Sequence, residues 1–249
     1  MHWIAERTLS FFLNNFPSWN AIMIGGPLGL LWSYVCLYFA GSLKVYKGLK
    51  TGYTRKVFHF LIFTSVVIIQ IIWGTSIVCL FGGMCTLVIF YAIVQGDGHL
   101  LYEAMAREVD APYRTHFIVV PYLATLIGGL ASNILFGQAA VVGYLVTGFG
   151  DAIGEPVGTR FGNHTYRVPS LTGVKAIRSI EGSIAVLISC IIAIMLALAL
   201  SPKPELTGWS PLAILVLGLI CVAIEAISPH GWDNTPMQVI PTFLATVLF

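Results

Sequence analysis

Apolar positions along this chain come in long runs, with neither the alternation of half-buried strands nor the heptads of a coiled coil. The runs fall at 19 to 41, 57 to 73, 75 to 94, 116 to 132, 138 to 157, 181 to 200 and 211 to 228, with a shorter one at 236 to 249. A transmembrane helix takes about 20 mostly apolar residues to cross a hydrocarbon core about 30 Å thick. At about 1.5 Å per residue, the last run is too short for a full crossing, so the pattern predicts seven or eight transmembrane helices. The opening MHWIAERTLSFFLNNFP is aromatic and carries charge only at Glu6 and Arg7. It lacks the basic start and small-residue cleavage site of a secretory signal, and residues 1–18 read as an interfacial helix. No repeat of 20 to 50 residues and no low-complexity stretch divides the chain. The expected fold is an all-α integral membrane protein with a single membrane domain over 1–249.

Composition sharpens this reading. Hydrophobic residues make up 57% of the 249 and charged ones 10%, against roughly a quarter charged in soluble domains. Cys36, Cys79, Cys85, Cys190 and Cys221 all lie in apolar runs without a CxxC pair, which argues against disulfide or zinc frameworks. Eleven of the thirteen basic residues fall in segments that alternating spans place on one side; Arg7 and Lys203 fall on the other. The positive-inside rule makes the richer side cytoplasmic and puts the N terminus outside. Nine of the eleven acids sort with those basic segments, leaving only Glu6 and Glu205 outside. A mixed-charge layer at one membrane face suits a water-soluble ionic substrate meeting a lipid one.

The chemistry gathers in four stretches. In GDAIGEPVGTRFG, helical spacing puts Asp151, Glu155, Gly158 and Gly162 on one stripe. Two carboxylates beside small residues make room for a metal ion and a polyphosphate, or pair with a neighbouring helix across a glycine-rich contact. NHTYRVPSLTGVKAIRSIEGS is a loop carrying Arg167, Lys175 and Arg178 into a span that opens with Ser179, Glu181, Gly182 and Ser183. Such a helix start suits phosphate, although a first-turn Glu is more often a cap. TRKVFHF sets Arg55, Lys56 and His59 at the mouth of the second span, where a basic flank is also what topology demands. EAISPHGWDNTP gathers Glu225, His230, Asp233 and Asn234, in which Asp233 with Asn234 makes either a Mg²⁺ or base pair or a polar turn. GDGHLLYEAMAREVDAP reads as an amphipathic helix on which Glu103 and Arg107 pair. Neither a P-loop nor a kinase glycine loop occurs.

Taken in order, these motifs resemble those of the polyprenol kinase family, which includes dolichol kinases, phytol kinases and the CTP-dependent diacylglycerol kinase. Arg55, Lys56 and His59 are similar to its RKxxH; Gly150, Asp151, Glu155, Gly158, Phe161 and Gly162 to its GDxxxExxGxxFG; Ser179, Glu181, Gly182 and Ser183 to its KSxEGS; and Asp233 with Asn234 to its GxDN. The resemblance implies an integral membrane enzyme that moves the γ-phosphoryl of CTP to a lipid alcohol with a divalent metal, Mg²⁺ by expectation. It maps functional positions best onto Arg55, Lys56, Asp151 and Gly158. Where the family has Lys before Ser, this chain has Arg178, which leaves the role to Arg178 or Lys175. The phosphatidate cytidylyltransferases are distantly similar and also use CTP, but SPHGWDNTP lacks the second Gly and the Arg of their HGGxxDR.

The resulting expectation is specific. Asp151 and Glu155 hold the metal, residues 150–183 form the nucleotide and metal core, and Arg55, Lys56, Lys175 and Arg178 meet the phosphates with Arg160 and the 179–183 helix start nearby. Asp233 or His59 takes the hydroxyl proton, and Asn234 accompanies Asp233. The partners are a nucleotide and a lipid alcohol, with no nucleic acid, and the absence of an Arg- and Ser-rich leader points to a prokaryotic plasma membrane. The competing reading outside enzymology is a transporter, because intramembrane acids mark ion paths. Transport sites sit near the midplane between repeats, whereas these acids lie at one face.

Overall fold

The structure, a computed structural model, describes residues 2–170, 174–200 and 210–249; Lys203 and Glu205 lie outside the described residues. The chain is predominantly helical. Among the described residues, five stretches are long and apolar enough to cross a membrane: Ala21–Lys47 (α2), Thr51–Trp73 (α3), Thr75–Gln95 (α4), His116–Phe161 and Ile180–Leu200 (α9). Pro211–Ile227 (α10) is apolar but shorter. Large apolar side chains such as Leu31, Ile72, Phe90 and Ile188 face outward along these helices. Contiguous apolar surface on this scale belongs against hydrocarbon rather than water.

The 46-residue stretch His116–Phe161 is two antiparallel legs. The first, His116–Phe136 (α6), stops where Gly137 takes φ 58, a left-handed conformation open to glycine. In an unbroken helix, positions 129 and 144 would lie roughly 22 Å apart; instead the Tyr144 hydroxyl donates to the Gly129 carbonyl at 3.3 Å. The second leg runs through Ala140–Leu145 (α7), a widened π turn at Val146–Asp151 and Ala152–Phe161 (α8). The final helix, Asn234–Leu248 (α11), buries Asn234, Gln238 and Thr242. It is bound to α6 through Asn234, Thr235 and Gln238, whose side chains donate to the Pro121, Ala124 and Thr125 carbonyls.

Three expectations change. The loop before α9 is a hairpin, Thr165–Val168 (β1) paired antiparallel with Ala176–Ser179 (β2), set into an otherwise helical fold. Strand β2 runs directly into α9, and the Ile180 amide donates to the His164 carbonyl at 2.9 Å. The segment between α4 and α6 is not an amphipathic helix but a four-residue turn of helix, Leu100–Glu103 (α5), and a 3₁₀ turn, Glu108–Asp110. Left-handed Gly96 and Gly98 interrupt it, and Ala104, Met105 and Ala106 are buried, which a solvated helix would not allow. Glu103 and Arg107 therefore do not pair: Glu103 meets Lys44 at 2.7 Å and Arg114 at 2.9 Å. Third, α3 begins at Thr51 rather than near 57, so Arg55 and Lys56 sit within its first turns together with His59.

Helix His2–Asn14 (α1) exposes Trp3, Ile4 and Leu13. Its Arg7 donates to the carbonyls of Ile134 and Leu135 at 2.8 and 2.9 Å, capping free acceptors at the C-terminal end of α6. That is the opposite end from the charged residues described next. Two apolar clusters form the core, one around Phe63, Leu145, Ile194 and Leu217, the other around Leu37, Ile89, Leu101 and Ile118. Helix α3 contributes to both.

Candidate functional site

Helices α3 and α8 meet through charge. Lys56 Nζ lies 2.6 Å from Asp151 Oδ1 and 3.6 Å from Glu155 Oε2, and Arg55 donates to Glu155 Oε2 at 2.7 Å. The π turn ends at Asp151 and the α-helix resumes from Ala152, which keeps Asp151 and Glu155 on one face. Gly52 lets the α3 backbone come near: a Cβ there would lie 3.0 Å from Glu155 Oε1. His59 Nε2 donates to the Thr147 carbonyl at 3.1 Å and lies 3.6 Å from Asp151 Oδ2. A carbonyl only accepts, so Nε2 carries the proton.

The segment between α4 and α6 adds a second wall. Arg107 reaches Glu155 Oε1 at 2.9 Å, holds Asp110 through Nε and NH2 at 2.8 and 2.9 Å, and contacts His230. Asp110 is 1% exposed. Burial alone would raise its pKa, but the neighbouring His230 and Arg107 outweigh that and hold the carboxyl below its ordinary range. The His230 amide donates to the Pro169 carbonyl at 2.9 Å, tying the loop before α11 to the hairpin.

The third wall is the hairpin with the cavity-side ends of α9, α10 and α11. Arg178 on β2 donates through Nε to Glu225 Oε1 at 2.8 Å and through NH2 to Asp233 Oδ2 at 2.7 Å. Burial lowers the pKa of this guanidinium, and the Asp233 and Glu225 carboxylates more than reverse it. Ser179 accepts from the Gly182 amide at 3.1 Å and so caps α9. Asn234 donates to Thr125 Oγ1 at 2.7 Å. Behind this wall α8 and α9 cross at glycines; a Cβ on Gly182 would lie 3.0 Å from the Gly154 carbonyl oxygen and 3.3 Å from Gly158 Cα.

These walls enclose a cavity of about 890 Å³. It brings together Arg55, Lys56, His59, Asp151, Glu155, Gly158, Lys175, Arg178, Ser179, Gly182, Ser183, Asp233 and Asn234 from the sequence reading. Three others do not line it. Arg160 lies over the Phe161 ring, Glu181 binds the His164 amide and ring, and Gly162 lies beyond the lining. Among the charged residues that line it and that the sequence reading did not place in the site are Arg107, Asp110, Glu225 and His230. The signal available for them was the density of charge in AREVD and EAISPH; their position is set by tertiary pairing.

The cavity walls hold seven Lys and Arg against six Asp and Glu. Most are spent on one another, whereas Lys50 and Lys175 make no ion pair with the described residues. Arg178 NH1, Glu225 Oε2 and Asn234 Oδ1 are buried without a hydrogen-bond partner there, an unusual concentration of unsatisfied polar atoms. The residues fit a divalent ion only in part. Both Glu155 oxygens accept from arginines, so a metal there would share each of them with a guanidinium. Asp151 keeps Oδ2, with His59 at 3.6 Å. Among the described residues no three His, Cys, Asp or Glu side chains converge as a metal centre. An ion here would be held by Asp151 together with substrate oxygens, in the manner common for Mg²⁺.

No family model matches the chain, and no curated protein or solved structure matches it.

Proposed function

We propose that the protein is a membrane kinase that moves the γ-phosphoryl group of CTP to the hydroxyl of a lipid alcohol, in keeping with its resemblance to the polyprenol kinases. The observation that carries this reading is the two-sided character of the cavity. One end gathers paired ions of both signs, and the other continues among apolar side chains of α3, α4 and α6. A nucleotide and a lipid can meet only where such environments adjoin. In this reading the chain spans the membrane seven or eight times with its N terminus outside. The cavity then opens at the cytoplasmic face of a prokaryotic plasma membrane.

Phosphoryl transfer depends on positioning and on neutralising charge. Lys175 and Lys50, which make no ion pair with the described residues, meet the triphosphate first. Arg55, Lys56 and Arg107 follow, exchanging Glu155 for phosphate oxygens. Of the two candidates for the family lysine, Lys175 is favoured, because Arg178 is held by Glu225 and Asp233. Arg178 is then a positioning residue that fixes Asp233. The Mg²⁺ ion, when bound with Asp151, supplies further neutralisation of the phosphates. The lipid hydroxyl oxygen bonds to the γ-phosphorus as the bond to the β–γ bridging oxygen breaks, CDP leaves, and the hydroxyl proton passes to a carboxylate. In this reading Asp233 takes it, since its Oδ1 makes no hydrogen bond with the described residues; His59, whose Nε2 donates to Thr147, could accept a proton only at Nδ1.

The test is purified protein with CTP labelled at the α or γ position and a panel of lipid alcohols. Transfer of γ-label alone to lipid supports the kinase. Transfer of α-label as CDP-lipid would replace it with a cytidylyltransferase, and absence of both would favour binding or transport.

A further inference from the structure

Two arginines of the cavity put the same edge of the guanidinium to different use. Arg107 gives Nε and NH2 to the two oxygens of one carboxylate, Asp110, at 2.8 and 2.9 Å, the fork that an arginine and a carboxylate favour. Both Asp110 oxygens are thereby bound. Arg178 offers the same two nitrogens to two different carboxylates. Its Nε goes to Glu225 Oε1 at 2.8 Å and its NH2 to Asp233 Oδ2 at 2.7 Å. Asp233 therefore keeps Oδ1, which makes no hydrogen bond with the described residues.

Stability alone does not account for Glu225. It is buried near the end of α10, in the apolar segment CVAIEAI. Its Oε2 has no hydrogen-bond partner among the described residues, and neither has Arg178 NH1. Arg178 paired with Asp233 alone, in the manner of Arg107 with Asp110, would bind both Asp233 oxygens and need no charge at position 225. Replacing buried ions with apolar residues is often neutral or stabilising. The carboxylate at 225 is explained by the pairing it prevents.

We infer that Glu225 is a positioning residue that holds the Nε of Arg178 away from Asp233 and so keeps Asp233 Oδ1 open to the lipid hydroxyl. The role given to Asp233 rests on the kinase reading above; the sharing of Arg178 does not. Without Glu225 the guanidinium turns its whole edge on Asp233, both oxygens are bound, and the hydroxyl proton has no acceptor there. A lysine at 178 has no such edge: its ammonium is a point charge without the planar fork, and it leaves one Asp233 oxygen open. Loss of Glu225 and replacement of Arg178 by Lys therefore act in opposite directions.

The experiment uses the full chain in lipid nanodiscs. Turnover is followed with CTP and lipid alcohols, and the carboxylate at 233 is read by a water-soluble carbodiimide with an added amine, followed by peptide mapping. Glu225→Gln should lower kcat about a hundredfold, the smaller end of what a general base contributes, while KM for CTP stays level. The same variant should protect Asp233 from the carbodiimide. Adding Arg178→Lys should raise kcat again and restore the labelling, whereas a second change in a merely structural cluster would deepen the loss. If Glu225→Gln fails to fold, Glu225→Asp draws the carboxylate back from Nε by one methylene, and should show the same changes in smaller degree with the same reversal. Equal labelling of Asp233 with and without Glu225, or a further fall in kcat on adding Arg178→Lys, would overturn the inference. Labelling needs no turnover, so the two readings fail separately. Protection and recovery of Asp233 in a protein that transfers no phosphoryl group retain the sharing of Arg178 and remove the kinase. Transfer with labelling indifferent to residue 225 does the reverse.

Discussion

Asp151 and Glu155 stand one helical turn apart and are held differently. Asp151 gives one oxygen to Lys56 and keeps the other, whereas Glu155 spends one on Arg55 and one on Arg107. Asp151→Asn preserves an oxygen for Lys56, which also keeps Glu155 at 3.6 Å. The variant should keep a near-normal melting temperature while turnover of a lipid alcohol falls by on the order of 10²–10³, as when one charge-stabilising group is lost from an active site. Glu155→Gln turns an amide NH₂ toward an arginine and leaves it uncompensated. That change should cost about 3–5 kcal/mol and appear as a lower melting temperature in the absence of nucleotide. Lys175→Ala removes a cation that no carboxylate of the described residues holds, so stability should stay level. The apparent KM for CTP should rise about tenfold or more, in line with the loss of a hydrogen bond to a charged group, about 1.5–3 kcal/mol.

At the scale of elements, the α8–α9 crossing sets where Asp151 and the Ser179 cap stand relative to each other. A Cβ on Gly158 would meet Ser179 Oγ at 2.9 Å. Gly158→Val should force the helices apart, destabilise the protein by about 1–3 kcal/mol in chemical unfolding, and cost activity beyond that loss. The apolar runs made the long helices legible, because a membrane span declares itself through length and uniform apolarity. The stripe of Asp151, Glu155 and Gly158 was legible from helical spacing. What could not be read lies in short segments whose form is decided by distant partners. Arg107 sits in AREVD as though on a helix, yet Glu155 and His230 determine where it goes. Glu225 lies at the end of an apolar run, and only the return of β2 brings Arg178 to it. The sequence also leaves open whether Lys175 or Arg178 is free; that depends on which carboxylates the fold brings near.

Over the whole molecule, the charged end is a set of elements stapled by ion pairs. The segment between α4 and α6 is held through Lys44 to Glu103 and Glu108, through Arg114 to Asp97 and Glu103, and through Arg107 to Glu155. Burial would raise the pKa of Glu103, but hydrogen bonds from Lys44 and Arg114 bring it down to about 2; Glu108 and Asp110 are lowered as well. A depressed carboxyl binds fewer protons folded than unfolded, so its contribution is complete above an ordinary carboxyl pKa of about 4.3 and is lost as pH falls toward 2. Limited proteolysis between residues 96 and 115 should accelerate over that interval, while the long helices stay protected. The same stapling bears on selectivity. Glu155 occupies Arg55 and Arg107 much as a phosphate would, and a tethered group faces its partners at an effective concentration on the order of millimolar. A small anion in the surrounding water must outcompete that built-in rival, and a simple phosphate at lower concentration does not. On the proposed function, only an anion long enough to engage Lys50 or Lys175 at the rim while it displaces Glu155 gains enough contacts to win, and the protein's own carboxylate then acts as a length filter for what enters.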